Sequence, residues 1–406
     1  MLEGGSDLRG WKVLTLLLVG VALLWETRPA YGLAYTGVLL FFLFQSWQRR
    51  VAGKLDVKRS PEEHFLFPGD SGVLALHITN PTSLPLAWIS VYDGIPGSLR
   101  TGKHPPRAVF SLGPRADHEV CFQITARDRG VYRLGPLDVF VGDFFGISTQ
   151  ALKVDEGKTV VVFPKVYELG ELALPARLSF GSFKALQPIN PDPTRLAGLR
   201  RYQEGDQLRS IHWPATARTQ TLQVKQFDHT VTATCVLFLD LHKEAYKVSG
   251  FYAAIELAIA TTASLASHLI LRGEACGMVS NAVLAEYLPD DLVASHGQGV
   301  IRMLPRQGTS QLTQIMTVLA GVQPQQTRDF LGLLRECTSA VGGATILLWV
   351  VPRDTPELIE RAWKLAKKGR QVQIFVVEEV CHQDLLQRPL GSALQVFSVS
   401  NGGRFV

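Results

Sequence analysis

The sequence predicts three parts in order: two N-terminal transmembrane helices, an all-β immunoglobulin-like sandwich, and an α/β domain built on a doubly wound parallel sheet. Two apolar runs near the N-terminus, short alternating runs in the first half and strand–helix alternation in the second half lead to this fold class. We place the boundaries at residues 1–50 for a helical hairpin, 51–163 for the sandwich, 164–230 for a linker with an arginine-rich segment, and 231–406 for the α/β domain. A chain of 406 residues, 46% hydrophobic and 19% charged, is long and apolar enough for this arrangement.

Composition argues against several classes of protein. The formal net charge of +5 is too small for this length to indicate nucleic-acid binding by itself. The five cysteines are widely spaced and form neither a CxxC motif nor a Cys/His cluster, which argues against a disulfide framework or a zinc site. Most of them lie in apolar runs, as reduced core cysteines do. We therefore expect the soluble part to occupy a reducing compartment.

The two apolar runs span residues 11–25 and 30–47. Each is slightly shorter than the roughly 20 residues of a comfortable transmembrane span, but tryptophans at their ends fit the aromatic belts of a bilayer. The alternative is a cleaved signal peptide, against which the second run and the lack of a small-x-small cleavage pattern count. Basic residues before the first run and after the second place both ends in the cytoplasm. We expect a two-pass protein of the inner (cytoplasmic) membrane whose basic residues after Trp47 contact anionic lipid.

Residues 55–162 alternate between apolar and polar side chains in short runs, separated by turn signals such as Asn80-Pro81 and Gly113-Pro114. Several short strands at this spacing are typical of an antiparallel sandwich. The runs predict strands at 72–79, 86–92, 118–124, 137–141 and 159–163. We expect the glycines of segments 127–136 and 141–147 to occupy hairpin and bulge positions with positive φ. Asp143, which precedes two phenylalanines, is expected to cap a turn.

A proline-rich linker at 164–193 leads to a region in which strands alternate with helices. We expect strands at 231–240, 275–279, 344–351 and 372–377, with edge pieces at 286–289 or 300–303. Helices are expected at 248–271, 311–319, 327–339 and 355–368, with Gly273 after the first and Pro356 in the first turn of the last. In a parallel sheet of this kind a binding site lies at the carboxyl ends of the strands, where Asp240 ends the first strand.

The segment 195–227 concentrates charged and aromatic side chains without a regular period. It contains the pattern Arg201-Tyr-x-x-Gly-Asp-x-x-Arg-x-Ile-His-Trp213, followed by Ala217-Arg218. This pattern resembles the signature of the bacterial family called domain of unknown function 58. Three other segments also resemble the usual pattern of this family, and they are Arg129-Gly-x-Tyr-x-x-Gly-Pro136, Gly142-Asp-Phe-Phe-Gly146 and Val160-Val-Val-Phe-Pro164. The resemblance covers nearly the whole chain.

The resemblance implies a C-terminal domain similar to von Willebrand factor A domains. It also implies a partner, since members of this family are often encoded beside MoxR-type AAA+ ATPases. A-domains hold a divalent cation with an Asp-x-Ser-x-Ser motif after the first strand. Here the corresponding residues are Asp240-Leu-His-Lys-Glu244, so His and Glu stand in place of both serines. The candidate oxygen ligands are those of a degenerate site, Asp240, Thr309 and Asp354, and we expect neither a working metal site nor a cofactor.

The signature allows three roles. In the first, Asp206 and His212 form an acid–base pair while the arginines at 201, 209 and 218 bind an anion. In the second, Asp206 and the arginines form an ion-pair network that fixes a loop, with Tyr202, Ile211 and Trp213 packed into the core. In the third the segment is a docking surface, because Trp and Arg are frequent interface anchors.

We favour a structural and docking role, because no nucleophile elbow, P-loop, HExxH motif or pair of catalytic carboxylates accompanies the signature. The residues expected to matter are Arg201, Tyr202, Gly205, Asp206, Arg209, His212, Trp213 and Arg218. The predicted function is a non-enzymatic, membrane-anchored cytoplasmic scaffold or adaptor that acts with a MoxR-type AAA+ ATPase in the assembly or maturation of envelope proteins. The alternative is a metal- or anion-dependent binding protein, or a hydrolase, that uses the Asp206, His212 and Asp240 region. Single-strand binders also mix basic and aromatic residues, but the low net charge and the membrane segment speak against nucleic acid.

Overall fold

The computed structural model describes residues 5–7, 9–25, 27–60, 64–142, 149–154, 158–167, 196–204, 206–227, 234–247, 249–285, 295–297, 299–326, 328–342, 345–379, 393–400 and 404–405. The chain divides into two compact units. The first comprises Met1–Lys165, Leu284–Pro289 and Met316–Val322, and the second comprises Val166–Val283, Asp290–Ile315 and Gln323–Val406. Most of the predicted proline-rich linker, and Asp143, lie outside the described residues.

Both N-terminal apolar runs are helical, as α1 (Arg9–Trp25) and α2 (Arg28–Ala52). The two helices pack through small side chains, since Ala22, Ala30 and Ala34 form a buried cluster. At Gly37 an added Cβ would lie 2.7 Å from Leu18 Cδ1. Small residues allow two helices to approach closely, and this is a feature of helix pairs in membranes. Large apolar side chains elsewhere on the helices are exposed, among them Leu16, Leu24 and Tyr35.

On length and composition alone, one helix in the described part of the chain is able to cross a membrane, and it is Phe251–Leu271. That helix is largely buried within the second unit, as the core helix of a folded domain is. Within the first N-terminal run, Lys12–Leu24 counts only as a shorter apolar helix. The membrane placement of α1 and α2 therefore stays a prediction.

The rest of the first half of the chain is rich in strands, as predicted. The strands are β1 (Gly5–Asp7), β2 (Asp56–Ser60), β3 (His64–Leu66), β4 (Ser71–Thr79), β5 (Leu86–Asp93), β6 (Arg107–Leu112), β7 (Asp117–Thr125), β8 (Gly130–Arg133), β9 (Leu137–Gly142), β10 (Thr149–Val154) and β11 (Thr159–Val162). They form three sheets with the orders β1-β10-β9-β5-β6, β2-β4-β7 and β3-β11-β8. Alternate residues of β4 and β5 enter one hydrophobic core, in which Leu76, Ile78 and Ile89 are fully buried.

An ion pair is buried in the same region. Arg59 of β2 pairs with Asp93 at the end of β5, and their side chains are 1% and 0% exposed. Arg59 Nη2 also donates to the carbonyl oxygen of Gly135 at 2.8 Å. Arg59 thus joins the three-stranded sheet of β2 to the five-stranded sheet of β5, and burial makes the pair costly to break on one side only.

The prediction of positive φ is wrong for Gly130, Gly135 and Gly142, none of which has a positive φ. At Gly135 and Gly142 close packing excludes a side chain instead. A Cβ at Gly142 would lie 1.8 Å from Cε2 of Trp88, and one at Gly135 would lie 2.6 Å from the carbonyl oxygen of Gly94. The indole of Trp88 therefore lies against the backbone of Gly142 on the neighbouring strand.

The second half of the chain combines helices and strands. They are β12 (Leu196–Arg201), α3 (Trp213–Thr219), β13 (Gln223–Phe227), β14 (Thr234–Leu239), α4 (Phe251–Leu271), β15 (Ala275–Ser280), β16 (Val283–Leu284), β17 (Ser295–Gly297), β18 (Val300–Arg306), α5 (Thr309–Gly321), β19 (Val322–Gln323), α6 (Phe330–Ala340), β20 (Ile346–Arg353), α7 (Pro356–Lys367), β21 (Val372–Glu379), β22 (Leu394–Ser400) and β23 (Arg404–Phe405). Gly273 has a φ of 81° directly after the C-cap of α4, and Thr355 caps α7 with Pro356 in its first turn, as predicted.

The main sheet has the order β17-β18-β15-β14-β20-β21-β22-β23. Its five central strands are parallel, but β18 is antiparallel to β15, and β23 is antiparallel to β22. The sheet is therefore mixed, which corrects the prediction of a parallel sheet. A parallel neighbour needs a crossover, normally a helix. Between β15 and β18 the described residues contain only short strands, and only three residues separate β22 from β23.

Candidate functional site

The signature folds into a small module formed by residues 196–227, which we call the signature module. Strands β12 and β13 pair antiparallel, and a 3-10 turn (Leu208–Ser210) and helix α3 lie between them in sequence. Ile211 bridges to Val224 of β13, and both side chains are 4% exposed. The backbone of the module is tied by the N–H of His212, which donates to Gln223 O at 2.7 Å, and the N–H of Tyr202, which donates to Leu222 O at 2.9 Å.

Asp206 is held by Arg200 in a bidentate ion pair. Nη1 and Nη2 of Arg200 donate to Oδ2 and Oδ1 of Asp206 at 2.7 and 2.6 Å. The N–H of Gln203 adds a third hydrogen bond to Oδ2 at 2.9 Å. The hydrogen bonds from Arg200, followed by that from Gln203, hold the pKa of the Asp206 carboxyl below its usual value. The same pair raises the pKa of Arg200.

His212 is the N-cap of α3. Its Nδ1 accepts a hydrogen bond from the N–H of Ala215 at 3.1 Å, so this nitrogen is unprotonated and satisfies one of the orphan donors of the helix start. Both oxygens of Asp206 receive hydrogen bonds from Arg200, whereas His212 caps α3. Asp206 and His212 therefore have separate structural roles. The predicted acid–base pair therefore gains no support from this geometry.

Large side chains of the signature module remain in solvent. Trp213 is 65% exposed and Leu208 is 71% exposed. The alternative in which Trp213 packs into the core is therefore wrong, whereas Ile211 is buried as that alternative required. Tyr202 is half-buried, and Gly205 lies outside the described residues. All three predicted arginines are exposed: Arg201, Arg209 and Arg218.

Arg200, the partner of Asp206, was not among the residues predicted to matter. Arg200 and Arg201 are neighbours on strand β12, so their side chains lie on opposite faces. Strand periodicity would have separated the two arginines, had this segment been recognised as a strand. Arg209 donates through Nε to Oε1 of Gln207 at 2.7 Å and does not pair with Asp206.

A second site lies at the carboxyl edge of the main sheet. Asp240 directly follows β14, between β15 and β20, which is the point where the strand order reverses. Its Oδ1 accepts from Nδ2 of Asn281 at 2.8 Å and from the N–H of His242 at 3.0 Å. The hydroxyl of Tyr246 donates to its carbonyl oxygen at 2.7 Å. Asp240 thus fixes the turn after β14.

Burial dominates the chemistry of Asp240, which is 5% exposed. It raises the pKa of the carboxyl from 3.8 to about 6, because a charge in an apolar surrounding is poorly solvated. The hydrogen bonds from Asn281 and His242 act in the opposite direction, and the charge of Asp329 adds a smaller upward effect. Asn281 was not predicted. Its place at the end of the adjacent strand β15 is the signal that could have identified it.

The predicted ligand Thr309 does not lie near Asp240. Strand β18 is antiparallel to β15, and its last residue, Arg306, is paired with Cys276 at the start of β15. Thr309 therefore follows β18 at the amino edge of the parallel strands, about one strand length, on the order of 20 Å, from Asp240. Asp354 follows β20 at the same edge as Asp240 and is 1% exposed.

The donor set at the carboxyl edge does not fit a hard divalent cation. Such an ion needs several oxygen ligands, but Oδ1 of Asp240 already accepts two protein hydrogen bonds. Among the described residues, no group of three or more His, Cys, Asp or Glu side chains is arranged to hold a metal ion.

Part of this region is similar to a known protein family. Residues 198–334 match the family described as "Protein of unknown function DUF58". They run from strand β12 into helix α6 and include both sites. The "Uncharacterized protein YeaD" of Bacillus subtilis (strain 168) is 22% identical over 286 residues, which cover 67% of this chain and 68% of that protein. The resemblance of the signature to this family is thus confirmed for residues 198–334.

Similarity to solved structures is low. The CARDB domain of the PF1109 protein from Pyrococcus furiosus, solved in complex with di-metal ions, is 18% identical and covers 27% of this chain and 84% of that chain, with a TM-score of 0.18. The alpha-2-macroglobulin of E. coli is 18% identical over 28% of this chain and 7% of its own length, with a TM-score of 0.21. Scores this low carry no argument about fold or function.

Proposed function

We propose that this chain is a non-enzymatic, membrane-anchored cytoplasmic scaffold whose signature module docks a protein partner with an acidic surface. The partner proposed is a MoxR-type AAA+ ATPase, and the process is the assembly or maturation of envelope proteins. The ATPase and the process come from the family resemblance alone. The docking role also draws on the geometry of the module.

The observation that carries the proposal is the exposure of Trp213. A tryptophan that is 65% exposed leaves a large apolar area in water, and burial of such a side chain at an interface is a frequent source of binding energy. Leu208, at 71% exposure, adds a second apolar anchor in the same module. Exposed apolar side chains bordered by polar residues are typical of interaction sites.

Charge favours an acidic partner. The signature module contains five basic side chains, at 200, 201, 209, 218 and 225, and two acidic ones, Glu204 and Asp206. Because Arg200 neutralises Asp206, the exposed arginines at 201, 209 and 218 dominate its surface. Arginine at an interface forms bidentate contacts with carboxylates and orients the partner before contact.

The module is also held in shape before binding. The β12–β13 pair, the Asp206–Arg200 pair and the His212 cap fix the segment on either side of Trp213. A preformed surface loses little conformational entropy when a partner binds, and more of the contact energy becomes affinity. These bonds support a docking role in which Asp206 and His212 hold the surface and Trp213 and the arginines contact the partner.

The N-terminal helices and the sheet order support the remaining parts of the proposal. Exposed leucines on α1 and α2 suit a lipid environment, and the distribution of basic residues supports a cytoplasmic location for both ends of the pair. The central strand order of the main sheet, with an aspartate at its reversal point, is compatible with a degenerate A-type domain. We propose an immunoglobulin-like sandwich for the strands of the first unit, since its sheets share one core.

The test is a binding titration between the full-length protein in lipid nanodiscs and a purified MoxR-type ATPase from the same organism. The Trp213→Ala, Arg209→Ala double variant should weaken binding by about thirtyfold, because removal of interface anchors commonly costs about 2 kcal/mol or more. Trp363→Ala is the matched control: Trp363 is 40% exposed, lies on α7 of the same unit and stacks with Lys367. This control should bind like the wild type.

Three outcomes would contradict the proposal. Equal affinity of the wild type and the double variant, with unchanged thermal melts, removes the signature module from the interface. Loss of the folded state in the double variant makes these residues structural, and Trp213→Phe then shows whether an aromatic ring at this position is needed for binding. Absence of any binding between the two wild-type proteins excludes this ATPase as the partner.

A metal-dependent binder is the alternative, and the observation that favours it is the buried carboxylate of Asp240 at the carboxyl edge. Hydrogen bonds to Oδ1 speak against it. The nanodisc titration repeated with EDTA separates the two. Unchanged affinity agrees with the scaffold, and a loss that Mg²⁺ restores would favour the metal-dependent alternative.

A further inference from the structure

The first unit contains a cavity of about 530 Å³ that neither the signature nor the family resemblance accounts for. It lies on the face of the five-stranded sheet opposite the hydrophobic core. Trp88, Ser90 and Tyr92 of β5 line it, whereas the intervening Ile89 and Val91 are fully buried. Its volume falls within the range of small-molecule sites.

One end of the cavity is aromatic. Trp88 pairs in register with Gly142 on β9, and its indole lies against that glycine, where a Cβ would be 1.8 Å from Cε2. Phe140, opposite Ser90 on β9, continues the aromatic wall towards Tyr92 at the other end, and the ring centroids of Phe140 and Tyr92 are 5.6 Å apart in an edge-to-face arrangement. One face of the Trp88 indole is thus covered by backbone, and the ring also lines the cavity as an apolar wall.

The other end is polar and carries both signs of charge. The guanidinium of Arg107 lies 5.0 Å from the centre of the Tyr92 ring, and its Nε donates to Oγ of Ser90 at 3.1 Å. Both contacts fix the side chain, and they leave its terminal nitrogens for a ligand. The carboxylate of Asp138, opposite Tyr92 on β9, lines the same end.

We propose that this cavity binds a neutral saccharide. A sugar hydroxyl both donates and accepts, so neighbouring hydroxyls can donate to Asp138 and accept from Arg107 at the same time. The C–H face of a sugar ring supplies apolar surface for the wall formed by Trp88. A purely anionic ligand would face Asp138, and a purely cationic one would face Arg107.

The proposal is independent of the docking role of the signature module. It requires only residues of β5, β6 and β9, so the failure of one proposal leaves the other intact. The lack of a side chain at Gly142 leaves the space that the indole of Trp88 occupies beside the cavity.

The test is calorimetric titration of the full-length protein with maltotriose, cellotriose and chitotriose. The protein must be held in nanodiscs or a polyoxyethylene detergent, because maltoside detergents would occupy the site. We expect binding of at least one trisaccharide with a Kd below about 10 mM. Trp88→Ala should weaken that binding about tenfold, since it removes the stacking surface.

Two further variants probe the polar end and guard against misfolding. Asp138→Asn and Arg107→Gln change single polar groups at the sheet face and should each weaken binding severalfold with an unchanged thermal melt. Lys153→Gln is the control: Lys153 is exposed and paired with Asp138 on the next strand, but it does not line the cavity. It should bind like the wild type.

Absence of binding by all three trisaccharides overturns the proposal. So does binding that survives Trp88→Ala, Asp138→Asn and Arg107→Gln alike, because the sugar then lies elsewhere. Binding of L-phenylalanine, but of none of the sugars, would replace the saccharide by a zwitterionic ligand that places its carboxylate on Arg107 and its ammonium group on Asp138.

Discussion

Two aspartates of this chain show how differently the same carboxylate behaves in two regions. In the signature module, Asp206 receives two hydrogen bonds from Arg200, and its pKa is lowered. At the carboxyl edge of the main sheet, Asp240 is buried with neutral donors, and its pKa is raised to about 6. The charged form of Asp206 is stabilised by Arg200, whereas the charged form of Asp240 is poorly solvated because the residue is buried.

The difference teaches that the density of charged residues in a sequence does not show which of these two carboxyl groups has the more strongly shifted pKa. The signature attracts attention because arginines are frequent around Asp206 in the sequence, yet it is the pair with Arg200 that stabilises the ionised form of Asp206. Asp240 stands in an unremarkable apolar run. Its perturbation comes from burial between neighbouring strands, which becomes visible only when the sheet is assembled.

A third carboxylate, Asp93, is buried like Asp240 and paired with an arginine like Asp206. Asp93→Ala leaves the guanidinium of Arg59 buried without this partner, and we expect a loss of about 3–5 kcal/mol in the free energy of unfolding. Chemical denaturation measures it. Asp56→Ala is the matched control, because the Asp56–Lys58 pair is 52% and 72% exposed and should change stability by less than about 1 kcal/mol. Equal losses in both variants would show that burial does not set the cost.

The Asp240→Asn variant tests a carboxyl group that is buried beside neutral hydrogen-bond donors and not beside a cationic side chain. The folded state binds the Asp240 proton more tightly than the unfolded state, so the contribution of this group is fully present below about pH 4 and is lost as the pH rises through about 6. A shift of about two pKa units corresponds to about 3 kcal/mol. Asparagine keeps an acceptor for Asn281 and His242 but carries no charge. The stability of Asp240→Asn relative to the wild type should therefore rise by about 3 kcal/mol between about pH 4 and pH 7.5, as denaturation at both values would show. A difference that does not vary with pH would mean that Asp240 has an ordinary pKa.

Asp206→Asn should have the smallest effect on stability. The Arg200 side chain is 39% exposed, so water and salt screen the pair, and the N–H of Gln203 still has an acceptor. The pKa of Asp206 is lowered, so the small stabilisation it provides is present above the ordinary carboxyl pKa and is lost as the pH falls through the lowered value. Thermal melts in low and high salt test this: the wild type should approach the variant as salt increases. If Asp206→Asn remained much less stable than the wild type at high salt, the Asp206–Arg200 pair would be shielded from solvent.

Much of the fold could be predicted because its strands and helices have clear periods. The strand at 137–141, the long helix that ends before Gly273 and the helix that starts at Thr355 occur where apolar spacing and cap residues placed them. The direction of edge strands could not be read in this way. Whether β18 runs parallel or antiparallel depends on the connection before it, and Thr309 was assigned to the wrong edge for this reason.

The candidate sites were predicted less well, because a site depends on which faces meet. Strand β12 was not recognised, so Arg200 and Arg201 could not be assigned to opposite faces. The exposure of Trp213 and the burial of Ile211, two positions apart, follow from packing against β13 and not from residue type. The cavity beside Trp88 was invisible, because its residues come from strands distant in sequence.

Helix α4 has a consequence for how this protein is synthesised. It is 21 residues long and apolar enough to span a bilayer, yet the folded unit buries most of it against the strands. During translation it emerges before β20 and β21 exist, so the nascent chain exposes an apolar segment long enough to span a bilayer before the strands that bury it are made. If the chain is anchored in a membrane, as proposed above, the α/β unit has to fold before α4 partitions into lipid. A mutation that slows this folding would then cause misinsertion of α4 as well as instability.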